Sequence, residues 1–355
     1  MSEPIQTAVM GVTGYAGAEL ARLLLRHPRL KGTPPVFAGR LNEKAIDRGG
    51  IPLGEIHPEL IDSQGSGNLR MQAFSWELLV DLDVKVLFLA TPHEQSREWA
   101  PEALERGIRV IDLSGAWRLT DAANRAVYAF EDVGSARAME AQRQSVYGMP
   151  ELHRDAVRGA KLIANPGCYS TSVILPLRPL VAAAIVDVER GIVADSKSGV
   201  SGAGKAPTPK THFMHAADNL SAYGAFTHRH TGELLEQIGL DAEDIVFTPH
   251  LLPIPRGILS TIYVTFKQPQ SRAGILHVYR EFFAASPMVR LHEHGLPQIQ
   301  HVVRTSYCDI GFELSPDGKR AVIVSCLDNL LKGASSQAVQ NLNVMYGWGE
   351  AEGLE

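Results

Sequence analysis

The sequence is poor in cysteine: it has only Cys168, Cys308 and Cys326, with no CxxC pair and no Cys/His cluster of zinc-ligand spacing. Three thiols cannot all pair, so the composition argues against a disulfide framework and against a structural zinc site. We therefore expect free thiols, as in a reducing compartment, and no bound metal.

Long apolar runs and an excess of basic residues are also missing. No stretch approaches the about 20 apolar residues of a membrane span, and the N-terminus lacks the basic start and apolar core of a signal peptide. The sequence predicts a cytoplasmic protein without membrane contact. The formal net charge is −5, whereas nucleic-acid partners favour a basic face, so no nucleic acid is expected. Any attraction for an anionic substrate must be local.

The 355 residues fit two domains of common size. The predicted strands of the first part are Thr7–Val12, Lys85–Ala90 and Arg109–Ser114. Stretches with helical spacing follow the first strand and separate the other two. This βαβ alternation predicts an α/β fold with a Rossmann-type doubly wound parallel sheet over 1–150, completed by a C-terminal helix within 328–355. Residues 151–327 have longer strands and loops rich in Gly, Pro and His, which predicts a second, α+β domain.

A glycine-rich turn, GVTGYAG, joins the first predicted strand to a helix. Such a turn lets the backbone approach a pyrophosphate at the N-terminus of the helix. The spacing is GxxGxxG, and a connector without a ligand is the alternative. The cofactor contacts predicted in this loop are Gly11, Thr13, Gly14, Tyr15, Ala16 and Gly17.

The end of the second predicted strand, PPVFAGR, bears on the choice of cofactor. NAD-binding folds usually place Asp or Glu there, about 20 residues after the glycine loop. This chain has Arg40 and no carboxylate before Glu43. An arginine suits a 2′-phosphate, so we expect NADP(H). A solvated loop residue is the alternative for Arg40.

The stretch ANPGCYSTSVILPL places Cys168 directly after Pro166 and Gly167 and at the start of a long apolar run. The Pro-Gly pair excludes helix just before it, so Cys168 is predicted in the first turn of a buried helix. Helix N-terminal N–H groups stabilise a thiolate, which indicates a catalytic nucleophile. A small buried apolar residue is the alternative, and it is the prediction for Cys308 and Cys326.

A nucleophilic thiol needs a proton partner, and FTHRHTGEL offers His228 and His230. On a strand these two residues would share a face, whereas on a turn that inference fails. Either imidazole could act as acid or base near neutral pH. Metal binding by the pair would lack a third ligand, and surface histidines without a role are the remaining alternative.

Two further stretches favour anion binding. SKSGVSGAGK, ending at Lys205, could form a nest of backbone N–H groups for phosphate or cofactor, or it could be a flexible hairpin. Arg118 in DLSGAWRL follows a predicted strand where doubly wound sheets bind ligands. It could hold a phosphate or carboxylate, with a surface ion pair as the alternative.

A dinucleotide fold combined with a thiol nucleophile narrows the chemistry. A thiolate can attack an acyl phosphate and expel phosphate, leaving a thioester. Hydride from a reduced nicotinamide then converts the thioester to an aldehyde. N–H groups at the start of the Cys168 helix could stabilise the oxyanion.

A set of nine motifs, in chain order, resembles the N-acetyl-gamma-glutamyl-phosphate reductase family of arginine biosynthesis over nearly the whole sequence. The motifs are GVTGYAGAEL, ATPHEQS, VIDLSGAWRL, YGMPEL, ANPGCYSTS, SGVSGAGK, THRHTGEL, FTPHLLPIPRGIL and DNLLKGASSQAVQNLN. The resemblance implies NADPH-dependent reduction of N-acetyl-L-glutamyl 5-phosphate to the 5-semialdehyde, with release of inorganic phosphate. It also implies a Rossmann domain and a second domain for catalysis and oligomerisation, commonly as a homodimer or homotetramer.

The resemblance places the nucleophile on Cys168 and the acid/base on His230, with His228 close behind. The other contacts it implies are Ser198, Gly199 and Asn329 for the cofactor, and Arg118, Asn165 and Lys205 for the substrate. The chain departs from the family pattern in GAW before Arg118, in HTGE and in KGASSQ, and none of these departures removes a reacting group.

Three other functions fit parts of the pattern. An aminoadipyl-phosphate reductase of lysine biosynthesis would act on a carrier-linked substrate and would need a basic rim around its site. Aspartate-semialdehyde dehydrogenase shares the chemistry but fits NPGCYST and HRHTGE less well. A non-catalytic dinucleotide sensor would need the glycine loop but neither the thiol nor the histidines.

Overall fold

The computed structural model describes residues 5–62, 65–132 and 134–355. The chain forms two compact units. The first comprises the chain up to Arg118 with Phe130–Asn165 and Ser335–Glu355, and the second comprises Leu119–Ala129 and Pro166–Ala334. Among the described residues, no helix has both the length and the apolar character needed to span a membrane.

The elements are numbered in chain order. Strands of the first unit are β1 (Thr7–Met10), β2 (Val36–Gly39), β3 (Ile51–Pro52), β4 (Arg70–Ala73), β5 (Val86–Leu89), β6 (Arg109–Asp112), β7 (Ser145–Tyr147) and β8 (Leu162–Ala164). Strands of the second unit are β9 (Ile192–Gly199), β10 (Ser221–Ala222), β11 (Ile245–Leu252), β12 (Ile258–Thr265), β13 (Val289–Leu291), β14 (Cys308–Leu314) and β15 (Arg320–Leu327). The α-helices are α1 (Tyr15–Arg26), α2 (Glu43–Asp47), α3 (Leu53–Ile56), α4 (Trp76–Asp81), α5 (His93–Glu105), α6 (Ala122–Arg125), α7 (Ala136–Gln144), α8 (Pro150–Gly159), α9 (Cys168–Ala182), α10 (Phe213–Ala216), α11 (Thr231–Ile238), α12 (Arg272–Phe282) and α13 (Ser336–Met345).

The sheet of the first unit has the strand order β3-β4-β2-β1-β5-β6-β8-β7. Its pairings are parallel except for the short β3, which runs antiparallel to β4. β1 and β5 consist wholly of buried residues, as expected for parallel strands covered on both faces. β1 pairs with β2 on one side and β5 on the other, so the winding changes direction beside it. The predicted doubly wound sheet is confirmed.

The bounds of the first unit differ from the predicted 1–150. β8 pairs with β6 and β7, so the sheet continues past Pro150 to Ala164. Residues 119–129 group with the second unit because Glu236 of α11 accepts hydrogen bonds from the backbone and hydroxyl of Thr120. α13 belongs to the first unit, where it packs against α1, α8 and β6.

The second unit contains a mixed sheet with the order β10-β11-β9-β12-β15-β14-β13. Helix α9 packs against β9, β12 and β15, and α11 and α12 pack against α9. On β9 and β12 buried and more exposed residues alternate, which places one face of the sheet against α9. The second domain predicted from the sequence is therefore a helix-backed mixed sheet.

A row of serines fixes α9 on this sheet. Ser196 and Ser260 face each other across β9 and β12, and Ser260 faces Ser325 across β12 and β15. The hydroxyl of Ser172, one turn into α9, lies 2.7 Å from that of Ser260, and Ser325 donates to the carbonyl of Ser172. All four are fully buried. Their hydrogen bonds satisfy these polar groups and define where the helix that begins at Cys168 sits along the strands.

Candidate active site

The glycine loop after β1 has the geometry that a pyrophosphate-binding turn requires. Gly11 has φ +87°, and a Cβ there would lie 2.2 Å from the carbonyl oxygen of Ala90. A Cβ on Gly17 would lie 2.1 Å from the carbonyl oxygen of Gly11, so only glycine lets α1 pack this close to the loop. At Gly14, the N-cap of α1, the nearest atom to such a Cβ is 3.6 Å away. Among the described residues, none therefore blocks the approach of a ligand to the backbone at Gly14.

The residues beside this turn suit a phosphate-bearing dinucleotide. Thr13 and Tyr15 are exposed, and the carbonyl of Ala16 accepts a hydrogen bond from Ser335 at 2.7 Å. Arg40 directly follows β2, is exposed, and has no hydrogen-bond or ion-pair partner among the described residues. The N-terminus of α1 and the guanidinium of Arg40 lie in the same unit, and both favour the binding of anions.

Cys168 is the first residue of α9, as predicted, and Gly167 is its N-cap with extended backbone. The thiol is partly accessible, whereas the other two cysteines are buried. No side chain caps this helix end, so its first N–H groups point toward whatever occupies the adjacent space. Burial raises the pKa of the Cys326 thiol to about 12, with a further contribution from the charge of Asp309. Cys308 is fully buried on β14.

Glu233 links the loop before Cys168 to the histidine segment, and sequence reasoning missed it. Its side chain is fully buried, and one carboxylate oxygen accepts the backbone N–H of Gly167 at 2.9 Å. The other oxygen lies 4.0 Å from Nε2 of His230. A Cβ on Gly167 would lie 2.5 Å from the same Nε2, so glycine is needed for this approach. The signal was present in the sequence as Glu233, three residues after His230 at a helix start.

His228 and His230 lie on a turn before α11 rather than on a strand. Their rings nevertheless meet edge to face, with centroids 4.7 Å apart. The backbone N–H of His230 donates to Nδ1 of His228 at 3.1 Å, so neutral His228 carries its proton on Nε2. Burial lowers the pKa of His228 to about 4, with a smaller effect from the charge of Arg229.

Aromatic side chains surround the two imidazoles. The ring of Tyr169 packs edge to face against both His228 and His230. Its hydroxyl donates to the backbone carbonyl of His250 at 2.7 Å, and the Tyr223 hydroxyl lies 3.4 Å from it. Burial, more than any neighbouring charge, raises the pKa of both tyrosines, so both stay protonated.

These groups line a single cavity of about 290 Å³ in the second unit. Its lining residues are Cys168, Tyr169, Ser198, Gly199, Gly202, Ala203, Thr208, Lys210, Thr211, Ser221, Tyr223, His228, Arg229, His230 and Leu251. The predicted Cys168, His228, His230, Ser198 and Gly199 are thus brought together. Sequence reasoning missed Lys210 and Arg229, because nothing in their local pattern indicates that the loop folds back over the cysteine.

The cavity is lined by a different lysine from the one expected to contact substrate. Of the two lysines in the described stretch 205–210, Lys210 lines the cavity and Lys205 does not. The chain turns at Gly204, whose φ is +88°, directly after the 3₁₀ turn Val200–Ala203. Nearby, Asn329 accepts the N–H of Gly257 and donates to the Ser201 hydroxyl, so its amide holds two loops. Its cofactor contact stays a prediction.

Arg118 and Asn165 lie together in the first unit. The guanidinium of Arg118 is buried and donates to the backbone carbonyls of Asn165 at 2.7 Å and Leu113 at 2.8 Å. The Asn165 side chain is fully buried and accepts from Asn341 at 3.0 Å. The exposed ion pair considered for Arg118 therefore does not describe it, since its guanidinium is bound to backbone carbonyls.

No cluster of three or more His, Cys, Asp or Glu suited to a metal ion occurs among the described residues. The two histidines face a thiol, tyrosines and a carboxylate that is already bound to a backbone N–H. The cavity thus combines a helix-tip thiol, two imidazoles and two cations. This set suits nucleophilic attack on an anionic acyl group.

Comparisons with known proteins agree with this architecture. The family model described as "Semialdehyde dehydrogenase, NAD binding domain" matches residues 6–160, and "Semialdehyde dehydrogenase, dimerisation domain" matches 168–329. The fold is similar to aspartate semialdehyde dehydrogenase II of Vibrio cholerae, with a TM-score of 0.69, 18% identity and coverage of 97% of this chain and 98% of that one.

Sequence relatives are much closer. The chain is 41% identical over 351 residues to N-acetyl-gamma-glutamyl-phosphate reductase of Methanococcus maripaludis strain C5, covering 98% of this chain and 97% of the relative. It is 41% identical over 354 residues to the protein of that name from Desulforudis audaxviator, covering 99% and 98%. The resemblance found in the motifs is confirmed, and the chain belongs to the N-acetyl-gamma-glutamyl-phosphate reductase family.

Proposed function

We propose that this protein catalyses the NADPH-dependent reductive dephosphorylation of N-acetyl-L-glutamyl 5-phosphate to N-acetyl-L-glutamate 5-semialdehyde in arginine biosynthesis. The main observation behind the proposal is the cavity in which Cys168, at the tip of α9, faces His228 and His230. The printed names of relatives that match nearly the whole chain support the substrate.

The first half of the reaction uses the residues of the cavity. The Cys168 thiolate attacks the acyl carbon, a C–S bond forms, and the C–O bond to the phosphate breaks, so that inorganic phosphate leaves with the bonding electron pair. The N–H groups at the start of α9 stabilise the charge on the carbonyl oxygen. His230 takes the thiol proton, and Glu233 beside its Nε2 orients and supports the protonated ring. The product of this half is a thioester on Cys168.

His228 acts as a neutral partner. Its Nδ1 accepts the backbone N–H of His230, which leaves an Nε2–H as a donor. With a pKa near 4 it cannot store a proton at neutral pH, so the acid/base role falls to His230. In the second half, His230 returns its proton to the oxygen of the tetrahedral adduct and takes it back as the aldehyde forms.

NADPH, when bound, would supply the hydride for reduction of the thioester. Gly11, Gly14 and Gly17 shape the turn for its pyrophosphate, and Thr13, Tyr15 and Ala16 flank that turn. Arg40 holds the 2′-phosphate and gives the preference for NADP over NAD. Its exposed guanidinium without a partner among the described residues, directly after β2, supports this choice. The other cofactor contacts that we propose are Ser198, Gly199 and Asn329.

The anionic groups of the substrate need cations at the cavity. Lys210 and Arg229 both line it, with Lys210 over the ring of Tyr223 and Arg229 over that of Tyr128. We assign the phosphate and carboxylate to this pair. Lys205, Arg118 and Asn165, expected from the sequence to contact substrate, remain proposals. The buried hydrogen bonds of Arg118 and Asn165 favour a role in holding the loop before Cys168.

The protein is proposed to be a cytoplasmic homodimer or homotetramer. On the face of the second sheet away from α9, Val246, Val193 and Tyr263 are cross-strand neighbours on β11, β9 and β12. Their exposures are 37%, 41% and 46%, which makes an apolar row suited to a second copy of the chain. Sedimentation equilibrium measures the oligomeric state.

A spectrophotometric assay in the oxidising direction tests the reaction. NADP, phosphate and N-acetylglutamate semialdehyde should give NADPH at a rate that depends on phosphate. Faster turnover with the aminoadipate or aspartate analogue would assign a different substrate. Alkylation of Cys168 by iodoacetamide at neutral pH tests the nucleophile, because a thiol no more reactive than free cysteine would favour a dinucleotide sensor.

A further inference from the structure

An unusual turn follows β15 and precedes α13. The side chain of Asp328 is fully buried, and its Oδ1 accepts the N–H groups of Leu330 at 2.8 Å and Leu331 at 3.2 Å. Its backbone carbonyl accepts the N–H of Gly333 at 2.9 Å, a bond that spans five residues. Residues Leu331–Ser335 accordingly form a π-helical turn. Such turns are rare and occur often at functional sites.

Asp328 is anchored from outside the turn as well. Its Oδ2 accepts the backbone N–H of Arg304 at 2.7 Å and lies 3.2 Å from the guanidinium of Arg256. The carboxylate is therefore bound on all sides by groups from three separate segments of the second unit. A turn fixed in this way cannot relax easily when a neighbouring atom presses on it.

Gly333, in this turn, packs directly against Cys168. A Cβ on Gly333 would lie 2.7 Å from the Cβ of Cys168 and 3.2 Å from its Cα. Real Cβ atoms do not approach so closely, and neither contacted atom can rotate away. The φ of Gly333 is not positive, so glycine is required here by packing rather than by backbone conformation. Gly167 is packed with similar tightness on Nε2 of His230.

We propose that Gly333 is a positioning residue for Cys168: the anchored π-turn supports the first residue of α9 from behind and holds its sulfur toward the cavity and His230. The inference rests on the proposed function, since it assumes that Cys168 is the nucleophile. A side chain at Gly333 would move Cys168 by a few tenths of an ångström or more, or distort the turn. A displacement of about 1 Å can cost about 10²-fold in rate.

The test compares Gly333→Ala with Gly311→Ala. A Cβ on Gly311, in the buried strand β14, would lie 2.8 Å from the carbonyl oxygen of Gly295, so the control carries a similar clash away from the cavity. We expect Gly333→Ala to lower kcat/KM by about 10- to 100-fold and to slow iodoacetamide alkylation of Cys168, with a changed pH profile. Gly311→Ala should lower the melting temperature but keep both rates. NADP binding should persist in both.

The outcomes separate the inference from the proposed function. Equal kcat/KM and equal alkylation in the two folded variants would overturn the positioning role, and this result is compatible with a highly reactive wild-type thiol. A wild-type Cys168 no more reactive than free cysteine would refute the proposed function itself. If Gly333→Ala does not fold, Asp328→Asn replaces it, because that change sets an amide NH2 against the N–H of Arg304 and the guanidinium of Arg256 and so weakens the anchor of the turn. Wild-type kcat/KM and alkylation in Asp328→Asn would then overturn the inference.

Discussion

The protonation of His228 gives the most informative prediction. Burial lowers its pKa from 6.5 to about 4, and its Nδ1 is already committed to the backbone N–H of His230. At pH 6.5 an ordinary histidine is half protonated, whereas about 0.3% of His228 would carry a second proton. We therefore expect His228 to contribute no ionisation to the pH profile of kcat/KM near neutrality.

The same shift affects stability with a definite sign. Because the folded-state pKa is lowered, the unfolded chain takes up the proton first as the pH falls. The stability due to neutral His228 is complete above about pH 6.5 and is lost as the pH falls toward 4. At 1.36 kcal/mol per pKa unit, the loss amounts to roughly 3 kcal/mol.

Both effects can be measured on the wild type, on His228→Asn and on His230→Asn. Ring-labelled histidine NMR follows the protonation of the imidazoles, and urea unfolding between pH 7.5 and 4.5 follows the free energy of unfolding. The His228 ring signal should not move above about pH 5, and His228→Asn should remove the part of the acid loss of stability that is due to this ring. His230→Asn should lower kcat by about 10²–10⁴-fold and His228→Asn by less. A His228 signal that titrates at 6.5 or above would refute the burial argument, and the reverse ranking of rates would exchange the two roles.

Three further substitutions test separate parts of the proposal. Cys168→Ser should abolish phosphate-dependent aldehyde oxidation and leave NADP affinity unchanged by calorimetry; retained turnover would exclude the thioester route. Arg40→Ala should weaken NADP binding by about 10- to 100-fold, as expected for a lost charge-assisted hydrogen bond, with NAD little affected; equal losses would contradict the assignment to the 2′-phosphate. Glu233→Gln keeps an acceptor for the Gly167 N–H but removes the charge near His230, so the acid limb of kcat/KM should move to lower pH. An unchanged limb would show that Glu233 acts only on the loop.

Local rules were sufficient for much of the fold and for the position of Cys168 at a helix start. The glycine loop has a strand before it, a helix after it and glycines where only glycine fits, and each of these is a short-range requirement. Cys168 was predicted at a helix start because Pro166 and Gly167 cannot continue a helix backward, and α9 begins there. Cys326 was predicted on a strand in the core, and it is buried on β15.

The inferences that failed or were missed depend on contacts between residues far apart in sequence. The sequence left open whether His228 and His230 lie on a strand or on a turn; they lie on a turn, where their rings meet and the N–H of His230 donates to Nδ1 of His228. The predicted boundary near 150 falls short of the end of the unit at Asn165, because helix α8 and strand β8 also belong to it and β8 pairs with β6, some 50 residues earlier.

The sequence by itself determined the dinucleotide turn, the helix-tip thiol and the family, because each depends on residue types at fixed short spacing. Only the tertiary structure decided which lysine reaches the cavity, that Glu233 joins the loop before Cys168 to His230, and that Gly333 packs closely against Cys168. These are consequences of packing between distant segments, where burial and close contact change the pKa of an imidazole and remove the space for a side chain.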